Sequence, residues 1–329
     1  MIKAACPDST RQHSFSRYRN ALLLSIFCAA ALYVSSLFMD DAESILQAMG
    51  ELSVTGWGAI LALSLANYLL RYWRWQRYIQ VLSGIQLSHR FHLTCYLAGF
   101  ALTTTPGKAG EATRSIYLHQ RGIGWNQSLS AFFVERLLDL FAILLLSLAA
   151  LKAFPDYNWI GYITASLVAL VLWALHSRLL RKILQRLSQA SRPKLSSASS
   201  RLSALLQSSG TLLKPRLLSG GMLLGLISWG GEGAALYLIL QELGAPVSLN
   251  LAIGIYGVGI LAGALSFIPG GLGSTEAVMA LMLVASGVDS ATAIAATLLC
   301  RIATLWFAVL IGLVAMAVIT TRTAQKAIN

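Results

Sequence analysis

The sequence is short of charge. Only 12% of its 329 residues are Asp, Glu, Lys or Arg, against roughly 25% in an ordinary soluble domain. The deficit is concentrated. Residues 21–39 carry no charge, residues 243–275 carry none, and between Asp289 and Arg322 only Arg301 does. A bilayer-crossing helix needs about 20 mostly apolar residues, so these runs exclude a soluble globular fold and predict an all-α polytopic membrane protein. Cysteine is scarce as well. Cys6, Cys28, Cys95 and Cys300 show no C-x-x-C spacing, and three of them lie in or beside apolar runs. That excludes a disulfide framework and a cysteine metal site. The "HRFH" stretch offers His89 and His92 without further ligands, so no metal is expected. No nucleophile–base pair, Walker loop or dinucleotide fingerprint is present. The chain is therefore expected to be no enzyme and to use no cofactor.

Hydrophobic residues make up 56% of the sequence. They mark six candidate spans: 21–39, 57–78, 129–151, 159–176, 217–240 and 291–320. The basic segment 1–20 resembles the start of a signal peptide, but the run behind it is long and no clear small-residue cleavage site follows, so an uncleaved first span is expected. The net charge of +12 raises nucleic acid as a partner. Its distribution answers that. With both termini in the cytoplasm, 22 of the 25 Lys and Arg residues fall on cytoplasmic segments, while Asp40, Asp41, Glu43, Glu51, Asp156, Glu242 and Asp289 fall outside. This is the positive-inside pattern, and no nucleic-acid partner is expected. Within the cytoplasmic loop 177–216, residues 177–189 place leucines at helical spacing among basic residues and are expected to lie on the membrane surface.

Two apolar stretches are broken alike, by "TTTPGKAGE" around Pro106 and by "FIPGGLGSTE" around Pro269. Proline and adjacent glycines interrupt helices. The arms beside the breaks, within 91–121 and 249–287, are mostly too short to cross, and each pair reads as a re-entrant hairpin. Aligning Pro106 with Pro269 pairs Gly107 with Gly270, Gly110 with Gly273, Gly122 with Gly287 and Arg136 with Arg301. The same order of break, glycine stop and arginine reads as an internal repeat. The first copy covers 21–151 and the second 159–320, joined by an external loop 152–158 and followed by a cytoplasmic tail 321–329. Three spans per copy turn the second upside down. An inverted repeat with broken segments marks substrate sites near the midplane of many transporters.

At each break a short helix begins with unpartnered N–H groups, a setting that suits an anion, phosphate above all. Pro106, Gly107, Lys108, Gly110 and Glu111 form the first candidate set; Pro269, Gly270, Gly271, Gly273 and Glu276 form the second. A plainer reading makes the prolines and glycines mere shapers of tight turns, with the glutamates stabilising the helix starts. Glu135 and Asp139 share one helix face with Arg136 beside them, Glu232 lies in the fifth span and Arg301 in the sixth. Each charge inside a span costs at least ~2.5–3.5 kcal/mol, so it must face a partner or water. These residues read either as structural pairs, such as Arg136–Glu232 or Arg301–Asp139, or as binders of a head group or proton. Arg71, Arg74 and Arg77, interleaved with Tyr and Trp, read as a membrane-surface anchor with snorkelling side chains, or as an inner-leaflet collector of phosphate.

At these residues the chain resembles the transmembrane, flippase-like family of lysylphosphatidylglycerol synthases. "PGKAGE" looks like the family's P-G-[RK]-x-G-E signature, "ERLLD" with its leucine-rich run is similar to the next, and "PGGLGSTE" with Arg301 resembles the C-terminal pair. The resemblance runs from about residue 21 to 320. It implies a membrane domain that moves or binds lipids between leaflets, at the motif residues named above. Two departures stand out: no soluble aminoacyl-transferase domain is read in this sequence, so lysyl-lipid synthesis is not expected of it, and Lys108 replaces the usual arginine, keeping the charge without the planar fork. The expected function is lipid translocation in a bacterial cytoplasmic (inner) membrane, with a lipid of anionic or zwitterionic head group as partner. A small-solute transporter, a non-transporting partner of an envelope or glycolipid enzyme, and a homo-oligomer stay open.

Overall fold

The computed structural model describes residues 42–177, 204–245 and 247–328, and among these every regular element is a helix. Helix α1 (Ala42–Gly50) is short. Helix α2 (Val54–Ser83) runs for 30 residues; Ser53 caps its start by accepting from the Gly56 amide, and Gly84 ends it in the left-handed region at φ 70°. Helix α3 (His89–Ala98) tightens into a 3-10 turn, Gly99–Leu102, and breaks before a second 3-10 run, Pro106–Thr113, which leads into α4 (Arg114–His119). Helix α5 (Trp125–Ser147) ends in a 3-10 turn, Leu148–Lys152, and α6 (Asn158–His176) follows. Residues 204–212 are helical. Then come α7 (Pro215–Glu242), α8 (Leu249–Leu265), the turn Pro269–Gly271, α9 (Ser274–Ala285), α10 (Ser290–Arg301), a π turn Ile302–Trp306, and α11 (Phe307–Ile328).

Two continuous stretches, Pro215–Glu242 and Ser290–Thr321, are long and apolar enough to cross a membrane; Leu249–Leu265 and Pro269–Ala285 are shorter apolar pieces. The expected span 21–39 and most of the expected surface helix 177–189 lie outside the described residues. Both interruptions read from the sequence are real breaks in the helices. Their glycine stops close alike. Gly122 (φ 84°) and Gly287 (φ 92°) are left-handed. The next amide reaches back five residues in each case, Ile123 to the Leu118 carbonyl and Val288 to the Leu283 carbonyl. This is the Schellman closure, which satisfies the orphaned carbonyls of a helix end.

Polarity is distributed for lipid. Trp73, Leu170, Trp173, Leu223 and Leu310 are exposed, whereas Arg71, Arg74, Arg114, Glu111 and Glu135 are buried. Helix α2 shows how: Arg71, Arg74 and Tyr78 lie on one face at three- and four-residue spacing, and Leu65, Leu69 and Trp73 lie on the other.

Glycines set the close contacts. A Cβ on Gly221 of α7 would stand 2.1 Å from the Tyr78 hydroxyl of α2, and the Asn67 amide of α2 donates to the Ser228 carbonyl of α7 at 2.9 Å. Helix α8 lies on the end of α5, where a Cβ on Gly254 would meet the Ala150 backbone nitrogen at 2.2 Å. Helix α11 lies on the first break, where a Cβ on Gly312 would meet the Ala101 backbone nitrogen at 2.1 Å. Small residues permit such backbone approach where lipid offers no hydrophobic drive. Each interrupted segment thus packs on the last helix of the other half of the chain.

Asp289 caps α10 by accepting from the Thr292 amide at 2.9 Å. The hydrogen bonds from Thr292 hold its carboxyl below the usual carboxylate range. A depressed carboxyl contributes stability above its unfolded value and loses it as pH falls through the folded one. Asp289→Ala is therefore expected to cost about 1 kcal/mol at neutral pH. Asp289→Asn should retain most of that stability and show less loss on acidification, as read by thermal melting in detergent.

Candidate functional site

The first break is laced by its own threonines. The Lys108 amide donates to the Thr105 carbonyl at 2.8 Å. The Gly110 amide donates to the Thr105 hydroxyl at 2.6 Å, and that hydroxyl donates to the Leu102 carbonyl at 2.8 Å. Gly110 has no room for a side chain, since a Cβ there would stand 2.5 Å from the Leu102 side chain and 2.6 Å from its carbonyl oxygen. Lys108 is left-handed at φ 55°. For a non-glycine residue that conformation costs of order 1–3 kcal/mol and persists only where the surroundings impose it.

Behind this turn lies an ionic cluster. Helix α5 supplies Glu135, Arg136 and Asp139, the break supplies Glu111, α2 supplies Arg71 and Arg74, and α4 supplies Arg114. Arg114 pairs with Glu135, and Arg74 pairs with Asp139. Arg136 reaches Asp139 at 2.9 Å, Glu135 at 3.1 Å and Glu111 at 3.6 Å. Arg71 lies 3.5, 3.7 and 3.8 Å from Asp139, Glu135 and Glu111. The Tyr96 hydroxyl donates to Glu135 and the Thr103 hydroxyl to Glu111, both at 2.8 Å. The Arg114 guanidinium lies 3.7 Å from the centre of the Trp75 ring. Arg136 is the more open member, its side chain 18% exposed.

Two further charges adjoin the cluster. The Lys108 ammonium sits 4.9 Å from the centre of the Trp229 ring, and Arg71 lies 5.4 Å from that centre. Lys108 forms no ion pair among the described residues. The indole nitrogen of Trp229 is buried and has no hydrogen-bond partner. Glu232 follows Trp229 one turn along α7; it is buried and accepts a long 3.4 Å bond from the Tyr256 hydroxyl.

The second break is built differently. Gly270, Gly271 and Gly273 are all left-handed. A Cβ on Gly271 would come within 2.8 Å of the Gly263 backbone of α8. Arg301 closes the turn, donating through Nε to Glu276 and through Nη2 to the Gly270 carbonyl, each at 2.7 Å. The two breaks touch: a Cβ on Gly270 would lie 3.5 Å from the Thr104 methyl group. The π turn after Arg301 is tied to α2, where the Tyr68 hydroxyl donates to the Thr304 carbonyl at 2.7 Å.

The structure brings much of the sequence-derived set together. Glu111, Glu135, Arg136 and Asp139 converge at the first break, with Lys108 and Glu232 beside them; Gly270, Glu276 and Arg301 converge at the second. Pro106 and Gly107 open the first 3-10 run, and Pro269 opens the second turn. One expectation is corrected. Arg71 and Arg74 do not anchor at a membrane surface; they are buried, facing the carboxylates of α5, and only Arg77 is exposed. The ion pairs differ as well. Arg136 pairs within its own helix and with Glu111, and Arg301 pairs with Glu276. Arg114, one of the 22 basic residues counted on cytoplasmic segments, is instead fully buried. A signal for it existed: Glu111, Glu135 and Asp139 near one break outnumber Lys108 and Arg136 beside them in the sequence, so a further cation was required.

Among the described residues the chain is all helical, with apolar side chains exposed and an arginine–carboxylate cluster inside, as befits a membrane protein. The sequence profile of the lysylphosphatidylglycerol synthase TM region matches residues 21–312, and the chain belongs to that family. It is 33% identical over 99 residues to a UPF0104 membrane protein of Pyrococcus horikoshii, covering 30% of each chain. It is 37% identical over 90 residues to a UPF0104 membrane protein of Methanothermobacter thermautotrophicus, covering 27% of each. The matched segments thus span under a third of these relatives' own length.

Proposed function

We propose that this protein is a lipid translocase of the cytoplasmic membrane. Its six spans and two re-entrant hairpins form an inverted repeat, and a lipid head group passes where the two breaks meet. The observation that carries this reading is the Lys108–Trp229–Arg71 corner. A lysine without an ion pair among the described residues and an indole N–H without an acceptor stand beside the ion cluster, at the first of the two breaks that touch. Buried donors without partners cost free energy, and a phosphate supplies acceptors for them. The exchange of hairpins between halves supports the repeat, because each half completes the other in the same manner. An apolar cleft of about 470 Å³, lined among others by Leu151, Phe154, Val258, Leu261, Leu281 and Met282, runs beside the second hairpin and suits hydrocarbon rather than a head group. The reading assigns no chemistry to the chain: it binds and releases, and needs no cofactor.

The test is leaflet exchange of acyl-labelled lipids by purified protein in liposomes. Lys108→Ala should leave thermal stability near wild type, because no carboxylate loses a partner. It should slow exchange roughly 10- to 100-fold, the worth of one charge-assisted contact. Unchanged exchange in that variant would remove Lys108 from the path. Exchange absent for every lipid, with uptake of a water-soluble solute instead, would favour a solute transporter.

A further inference from the structure

The apolar cleft beside the second hairpin has a built shape. The 3-10 turn that ends α5 carries its bonding on to Phe154, whose amide donates to the Leu151 carbonyl at 3.2 Å. Three residues per turn set Leu148, Leu151 and Phe154 in one row, and all three line the cleft. Helix α8 closes on that wall through glycine: a Cβ on Gly257 would stand 2.9 Å from the Ser147 nitrogen. It closes on α9 in the same way: a Cβ on Gly259 would stand 2.3 Å from the Met279 side chain. Val258 lies between these two contacts on the helix surface and floors the cleft, with Leu281 of α9 opposite. Leu281 stays 68% exposed, so the cleft is open rather than sealed. Its one polar lining residue, Ser147, already donates its hydroxyl to the Leu144 carbonyl at 2.7 Å.

A cation stands at the end of this row. Lys152 follows Leu151 on the 3-10 turn and is exposed. Among the described residues neither it nor Asp156, four positions on, forms an ion pair. Of the three Lys and Arg residues not counted on cytoplasmic segments, Arg136 and Arg301 belong to the two breaks and Lys152 is the third. We infer a lipid-docking site on the external side: one acyl chain lies in the cleft, and Lys152 holds the phosphate of an anionic head group. An acyl chain needs no hydrogen bond, and a phosphate needs a cation; the cleft and Lys152 supply these two things. The chain's own residues 21–39 are a poorer occupant. They lead into α1, whose Ala48 and Met49 pack on Ala295 and Leu298 of α10, an element that does not line the cleft. The external placing rests on the topology proposed above; docking itself needs no translocation.

The bilayer already shelters an acyl chain, so the cleft gives residence and Lys152 gives preference. Phosphatidylglycerol and phosphatidylcholine, each with a diazirine on one acyl chain, test this in liposomes, with labelled residues mapped by mass spectrometry. In wild type, phosphatidylglycerol should label Leu151, Val258 and Leu281 about fivefold more than phosphatidylcholine does, the worth of one basic residue at a membrane surface. Leu223 and Leu310, exposed elsewhere, should show no such preference. Lys152→Ala should remove the preference, and Leu261→Trp, which fills the cleft, should remove labelling there by both lipids. If Leu261→Trp fails to fold, the exposed Lys152 carries the test. In Leu281→Cys, a disulfide to Cys28 would put residues 21–39 in the cleft, and a disulfide between two chains would put a second copy there; either overturns the site. Preferential labelling without leaflet exchange sustains the site and overturns translocation. Exchange with equal labelling by the two lipids overturns the site and leaves translocation intact. Neither exchange nor preference overturns both.

Discussion

Glu135→Ala should destabilise the protein by about 3–5 kcal/mol, the range found when one member of a buried ion cluster is removed. Glu135 is fully buried and faces four guanidiniums: Arg114 and Arg136 at close range, Arg71 at 3.7 Å and Arg74 at 4.0 Å. It also accepts from Tyr96. Removing it leaves these donors with an uncompensated charge. The expected readout is a large drop in melting temperature in detergent and poor recovery from membranes. Removing Arg114 as well should return part of the loss, because the double variant restores the charge balance. In a mutant cycle the two residues should couple by about 0.5–3 kcal/mol. Additive losses would mean that Arg114 acts only by packing against Trp75.

Gly312→Leu should yield no folded protein, and Gly312→Ala should already cost about 1–3 kcal/mol, the usual penalty for overpacking. The reason is backbone contact. A Cβ at this position would stand 2.1 Å from the Ala101 nitrogen and 2.5 Å from the Phe100 carbonyl carbon, and neither atom can turn aside as a flexible side chain could. Gly231, in α7, gives the contrast, since nothing lies within 4 Å of a Cβ there. Gly231→Ala should be neutral or stabilising by about 0.5–1 kcal/mol, because alanine loses less conformational freedom in a helix. Expression and melting of the two alanine variants, compared side by side, decide the matter. Equal behaviour would show that α11 and the first break do not need this contact.

Pattern alone made the breaks legible. Proline beside paired glycines inside apolar sequence has few structural uses, and the fixed order of break, glycine stop and arginine exposed the correspondence between Pro106 and Pro269. The placing of Glu135 and Asp139 on one face followed from helical periodicity. The partners were harder. Arg71 and Arg74 sit among tyrosines and tryptophans, as interfacial residues do, and local sequence says nothing of the carboxylates of Glu111, Glu135 and Asp139 far along the chain. Arg114 was hidden among basic residues credited to orientation. The divergence of the two breaks was also invisible. Arg136 and Arg301 correspond in the sequence, yet one joins a multi-carboxylate cluster while the other clamps a single glutamate and a carbonyl.

The packing of each interrupted segment on the other half of the chain bears on how the chain is made. Among the described residues the ion cluster draws on 71–139, all of which leave the ribosome before the second half. The turn bearing Ala101 meets Tyr68, Tyr96 and Glu111 within that half, but its flank against Gly312 waits for a residue some two hundred positions later. That flank is the last side of the first break to be covered, and the final helix covers it.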